Sequence, residues 1–185
     1  MNIICACDKQ YGIGFQGKLP EWKLDGDLKR FKKLTTGNGN NIVIMGKNTY
    51  ESLGHTALPN RTNIVVSKTL FNMHKRTTDK NVCFIYDLAC VVNITDAYSY
   101  ALQILKDRRE YGEIWLIGGA QIYESAIQQM MVSGIHLTYV DSKFPCDTFL
   151  LPQTVALIQK TIATNKPEYV TDVTTPYQIV TNRPF

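Results

Sequence analysis

The 185 residues are 44% hydrophobic with no long polar tract, enough for one domain, 1–185, with a sizeable core. The 20 basic and 16 acidic side chains leave +4, which suits a small anionic ligand better than a nucleic-acid backbone. No apolar run approaches the roughly 20 residues of a membrane span, and MNIICACDKQ lacks the basic start and long apolar segment of a secretion signal. The five cysteines, Cys5, Cys7, Cys83, Cys90 and Cys146, are an odd count. No second ligand pair follows Cys5 and Cys7, so buried, reduced thiols are expected rather than a metal site or a disulfide framework. A cytoplasmic setting follows most simply, with other intracellular compartments left open.

In chain order, NIICAC reads as a first strand and DKQYGIGFQGKLP as a long loop whose Gly12, Gly14 and Gly17 permit unusual dihedrals. A helix is expected over 25–34 with Asp25 as its N-cap, placing Leu24, Leu28, Phe31 and Leu34 on one side. The basic block KRFKK is then largely a solvated helix face. Asp27 falls at N2, where the helix dipole favours its charge and a cleft walled by Leu28 and Phe31 opposes it. Read alone, it is either a second carboxylate at the helix start, worth about 0.3–1 kcal/mol, or a ligand-facing acid.

The unbroken apolar run NIVIM fits a buried parallel strand, and 49–53 a short helix. TNIVVSK, NVCFIY, EIWLIGG and IHLTYV are further strands, with helices over 96–109 and 120–130. YQIVTN and part of TIATNKPEYV supply antiparallel edges. The expected fold is α/β: a predominantly parallel central sheet with an antiparallel C-terminal edge and flanking helices.

Three strand ends carry groups suited to an anion. In EIWLIGGAQIY, Gly118 and Gly119 bring backbone amides to a helix start, although a bare GG is also an ordinary tight turn and lacks the GxGxxG spacing. MGKNTYESLG delivers Lys47, Asn48 and Thr49 to a second helix start, and VVSK ends on Ser67 and Lys68. Together they point to a ligand lying across one edge of the sheet.

Taken in order, IICAC, YGIGFQGKLP, DLKRFKKLT, MGKNTYESLG, LPNRTNIVVS, EIWLIGGAQIYE, LTYVD and DTFLP closely resemble the dihydrofolate reductase family over about residues 3–152. The resemblance implies that fold and the NADPH-dependent reduction of 7,8-dihydrofolate to 5,6,7,8-tetrahydrofolate, by hydride transfer to C6 and protonation at N5. It puts the pterin-binding carboxylate on Asp27, with Thr138 behind it and Trp22 and Tyr123 beside the reacting rings. Ile4, Cys5, Leu28, Phe31 and Leu53 would line the substrate pocket, and Arg61 would clamp the glutamate carboxylate. The NADPH contacts implied are Ala6, Ile13, Gly14, Lys47, Asn48, Thr49, Ser67, Lys68, Arg76, Gly118, Gly119, Ala120, Gln121, Ile122 and Tyr123, with a cis bond between the paired glycines. YGIGFQGKLP would be a lid.

The chain departs from the family in carrying Glu21 between Pro20 and Trp22, Ala120 for a third glycine, and neutral Gln121 at an often basic position. The family further implies a monomer that binds antifolates and needs neither membrane nor nucleic acid. A reductase of another pteridine or pyrimidine, or a noncatalytic binding protein, stays open as the alternative.

Overall fold

The computed structural model describes residues 1–74, 83–85, 88–108, 111–171 and 175–182. Its elements in order are β1 (Asn2–Asp8), β2 (Gly12–Gly14), α1 (Asp27–Thr36), β3 (Ile42–Gly46), α2 (Lys47–Ser52), β4 (Thr62–Val66), α3 (Lys68–His74), β5 (Cys83–Ile85) and β6 (Leu88–Val91). They continue with α4 (Ile94–Arg108), β7 (Ile114–Leu116), α5 (Ala120–Gln128), β8 (Gly134–Val140), β9 (Thr148–Phe149), α6 (Pro152–Thr164), β10 (Glu168–Val170) and β11 (Tyr177–Asn182). None of the described helices is long and apolar enough to cross a membrane.

A nine-stranded sheet runs β10-β11-β8-β1-β7-β3-β4-β6-β5. Its centre is parallel: β1 pairs with β7 and β8, and β3 with β4 and β7. Strands covered on both faces need apolar residues on both, which is why IVIM in β3 is unbroken. Toward α4 and α5 the sheet buries Ile3, Cys5, Cys7, Ile42, Ile44 and Ile64. Toward α1 and α2 it buries Ile4, Val43, Met45, Val65 and Trp115, with Phe31, Leu34 and Leu53 packed against them. The expected antiparallel C-terminal edge is there, in β8–β11 and β11–β10. The β5–β6 pair makes the opposite edge antiparallel as well.

Several local expectations give way. Helix α1 starts at Asp27, not at 25–26, because Gly26 takes a left-handed φ of 86° and serves as the N-cap without a side-chain bond. Gly26 rather than Asp25 therefore holds the N-cap position, and Asp27 becomes the first helical residue. Leu28 leaves the apolar side and is 67% exposed. Helix α2 starts at Lys47, two residues before the expected 49. Helices α3 and α6 and strand β6 were not anticipated; within TIATNKPEYV, α6 takes TIAT while EYV forms β10, the part expected as strand.

Helix α6 has Pro at its first position but no side-chain cap of its own. The buried Glu124 of α5 supplies one: its carboxylate accepts from Gln153 N at 3.1 Å, Thr154 N at 3.0 Å and Thr154 Oγ1 at 2.9 Å. A carboxylate at a helix start is favoured by the dipole, and this one locks α6 onto α5.

Candidate active site

Asp27 stands where α1 passes β8. The Thr138 hydroxyl, buried in β8, donates to Asp27 Oδ1 at 2.6 Å. The turn that delivers Asp27 is closed by Asp27 N to Leu24 O at 3.2 Å and is held from the far end of the chain, where Tyr177 Oη donates to Asp25 O at 2.6 Å. Neighbouring Cys5 is an inert thiol. Burial first, and then the Asp27 charge, pushes its pKa up to about 12, while Arg30 pulls the other way. Burial lowers the Arg30 guanidinium, against the attraction of Asp27 and Glu168.

Two apolar clusters pack along the elements that meet at this carboxylate. Phe31, Leu53 and Ile4 share one apolar cluster, and Leu28 stands open beside it. Trp22 is buried with Val140 and Tyr177 and meets the Phe144 ring edge-on at 5.8 Å. The extra residue Glu21 faces solvent while Trp22 beside it is buried. Arg61 is drawn to α1: its Nη1 donates to Thr35 Oγ1, its Nε to Pro59 O at 3.1 Å, and its guanidinium lies 5.9 Å from the Phe31 ring centre.

The second group of residues gathers around the Gly118–Gly119 peptide, which is cis. Gly46 N donates to Gly118 O at 2.7 Å, joining the start of α2 to the start of α5. A Cβ on Gly118, whose φ is 115°, would lie 3.2 Å from Tyr123 Oη and 3.4 Å from Thr49 Oγ1. Thr49 of α2 thus comes up to the bare Gly118–Gly119 backbone at the start of α5, where Ile122 packs against Gly46. Tyr123 is buried, and its hydroxyl donates to Ile4 O at 2.9 Å, tying this group to β1. Burial holds its pKa well above the usual phenol range, so it stays protonated. Ala6 lies on β1 opposite Thr138.

Ile13 and Gly14 lie in β2, which pairs with β9. Gln16 N donates to Asp147 Oδ2 at 2.7 Å and Asp147 N to Gly14 O at 3.0 Å, latching the loop. A cleft of about 590 Å³ separates Gln16–Lys18 from Asn48, Glu51 and Ser52.

Two of the expected cation and hydroxyl positions have other duties. Lys47 Nζ sits 3.5 Å from Glu51, and Ser67 Oγ accepts from Leu70 N at 3.1 Å, capping α3. Lys68 follows, exposed, while Arg76 lies outside the described residues. Sequence reasoning missed Asp8, Asp147 and Tyr177. Of these only Asp8 adjoins the glycine-bearing loop in sequence, whereas Asp147 meets it only in the fold.

The dihydrofolate reductase family model matches residues 1–181. The chain belongs to that family. It is 32% identical over 154 residues to a Drosophila melanogaster dihydrofolate reductase, covering 80% of this chain and 77% of that protein. It is 35% identical over 149 residues to a Paramecium tetraurelia bifunctional dihydrofolate reductase-thymidylate synthase, of which it spans only 28%. An Enterococcus faecalis dihydrofolate reductase, solved with NADP(H) and RAB-propyl, superposes with a TM-score of 0.70 at 24% identity, covering 98% of this chain and 94% of that one. That likeness covers nearly the whole of both chains and shows the dihydrofolate reductase fold.

Proposed function

We propose that this protein reduces 7,8-dihydrofolate to 5,6,7,8-tetrahydrofolate with NADPH, and that Asp27, oriented by Thr138, grips the pterin. The observation carrying the reading is the 2.6 Å bond from Thr138 to Asp27 Oδ1. It fixes the plane of the carboxylate and leaves Oδ2 to accept from the substrate. A planar acid can then take both the pterin amino group and a ring nitrogen, a charge-assisted and orienting pair. Leu28, Phe31, Leu53 and Ile4 supply the apolar walls that strengthen it, whereas the Cys5 side chain packs on the opposite sheet face and adds no wall.

The residues present fit NADPH. Helix starts at α2 and α5 offer backbone amides to its phosphates, the side-chain-free Gly118–Gly119 surface admits close approach, and Lys47 and Lys68 add positive charge where Gln121 is neutral. NADPH supplies the hydride for C6. The protein aligns and dries the site: Ala6, Ile13 and Gly14 border the nicotinamide position, and Tyr123 holds the Ile4 carbonyl. As a buried phenol it orients rather than exchanging a proton. Asp27 binds the side of the pterin away from N5, so its role is to stabilise the protonated ring while water beside Trp22 carries the proton. Arg61, already stacked near Phe31, takes the glutamate carboxylate. A planar guanidinium suits that anion better than an ammonium.

The reading includes a cytoplasmic monomer that needs no membrane or nucleic-acid partner and accepts antifolates as competing ligands. Asp27→Asn is the test. Turnover of dihydrofolate near pH 7, followed at 340 nm, should fall about 100-fold or more, the scale for losing a preorganised charge. NADPH binding should stay within about threefold, since Asp27 touches none of the glycine group. Near-normal turnover would remove Asp27 from the site.

A further inference from the structure

Asp8 ends β1 with 0% exposure. Among the described residues neither ion pair involves it, and a buried carboxylate without compensation is strongly disfavoured. Backbone amides compensate it. Oδ1 accepts from Gln10 N and Gly12 N, each at 2.8 Å, and Oδ2 accepts from Phe144 N at 3.0 Å. Between the first two donors lies Tyr11 with a φ of 62°, a left-handed conformation costly to any residue with a Cβ. Tyr11 N donates to Asp8 O at 2.9 Å, closing the turn, and Leu150 N donates to Tyr11 O at 2.9 Å, docking it.

Gly12 is equally constrained. A Cβ there would lie 2.4 Å from Cys146 Sγ and 3.1 Å from Asp8 Oδ1. The same carboxylate therefore joins three pieces of chain: the end of β1 that carries Cys5 and Ala6, the turn that launches Ile13 and Gly14, and the Phe144 loop that supports Trp22. The Asp147 latch acts farther along, at Gly14 O and Gln16 N.

We propose that Asp8 is a positioning residue for hydride transfer: its buried carboxylate binds the 9–12 turn and the Phe144 loop into one unit, so that Ile13 and Gly14 meet the nicotinamide in register with Ala6. The proposal rests on the dihydrofolate reductase reading above. Asp8 acts through Gly12 and touches neither substrate nor cofactor.

Asp8→Asn separates the two ties. The amide oxygen can still serve Gln10 and Gly12, but its NH₂ then faces the Phe144 N–H, donor against donor. Single-turnover hydride transfer, measured with NADPH and with NADPH deuterated at the transferred position, should slow about tenfold or more, as small misalignments do. The isotope effect on kcat should rise as that step becomes limiting, and dihydrofolate affinity for the free enzyme should stay within about twofold because the Asp27–Thr138 pair is untouched. A folded variant with wild-type hydride transfer and isotope effect would reduce Asp8 to a structural residue and overturn the proposal.

A second measurement needs no variant. Amide exchange in the wild-type protein should show Gly12 and Phe144 opening with one shared rate, slower than Gln16, whose acceptor is exposed. Unrelated rates, or exchange as fast as Gln16, would overturn the single unit. Failure of the wild-type enzyme to oxidise NADPH with dihydrofolate would overturn the functional reading and this role together. A defect absent only from the variant comparison would overturn this role alone.

Discussion

At one of the two residue groups the decisive contacts come from side chains: Thr138 to Asp27 at 2.6 Å, and Arg61 over Phe31. At the other they come from backbone, with Gly46 N on Gly118 O at 2.7 Å and two helix starts turned toward a pair of glycines. The difference follows from the ligands each end is proposed to hold. A flat heterocycle is recognised by a pattern of donors and acceptors, which a fixed carboxylate can mirror. Phosphates present charge in many directions, and oriented amides meet them without needing a long side chain. Deleting an atom should therefore injure the carboxylate end, and adding one the glycine end.

Asp27→Asn is the largest expected break on the carboxylate side. Its counterpart is Gly118→Ala, where the added methyl meets Tyr123 Oη and Thr49 Oγ1 at a φ of 115°. A non-glycine residue in such a region costs about 1–3 kcal/mol. Urea unfolding should register that loss. The extra stability conferred by saturating NADPH should shrink by an amount equivalent to about tenfold weaker binding. Full NADPH stabilisation in the alanine variant would mean that the glycines do not face the cofactor.

Arg61→Ala separates the ends by ligand rather than by residue. Losing a charged hydrogen-bonding partner costs about 1.5–3 kcal/mol, so dihydrofolate affinity should drop about 10- to 150-fold by that scale. A pteridine without the glutamate tail should lose far less, although removing the guanidinium also strips cover from Phe31. Equal losses for both ligands, in a titration followed by fluorescence, would remove the carboxylate role.

Most of the sheet was legible because buried parallel strands must be apolar on both faces; NIVIM and EIWLI could hardly be anything else. Local chemistry also exposed the glycine end, since two strand ends carry glycines straight into helix starts. What was hidden depends on partners far along the chain. Helix α6 has no cap of its own because Glu124 provides it. The start of α1 shifted because Gly26 could turn left-handed while Tyr177, 152 residues beyond Asp25, held the turn. Asp8 reads as an ordinary loop aspartate until the fold encloses it. Asp27 illustrates the limit from the other side: its residue type admits a helix-start role, and only Thr138 arriving from β8 distinguishes a ligand-facing acid.

The smallest expected effect concerns Ser67, a hydroxyl with two possible employments. Its Oγ accepts from Leu70 N at 3.1 Å, so it caps α3. The hydroxyl hydrogen remains able to donate to a phosphate while Lys68, exposed next to it, supplies the charge. Ser67→Ala should accordingly lower stability by about 1 kcal/mol, the usual loss of an N-cap. Losing one hydroxyl donor to a charged phosphate, about 1.5 kcal/mol at the low end of the scale for charged hydrogen bonds, limits the loss of NADPH affinity to about tenfold. Thermal unfolding with and without NADPH resolves the two contributions: a unchanged melting temperature would mean α3 does not need its cap, and a much larger affinity loss would move the hydroxyl from the helix to the centre of the phosphate site.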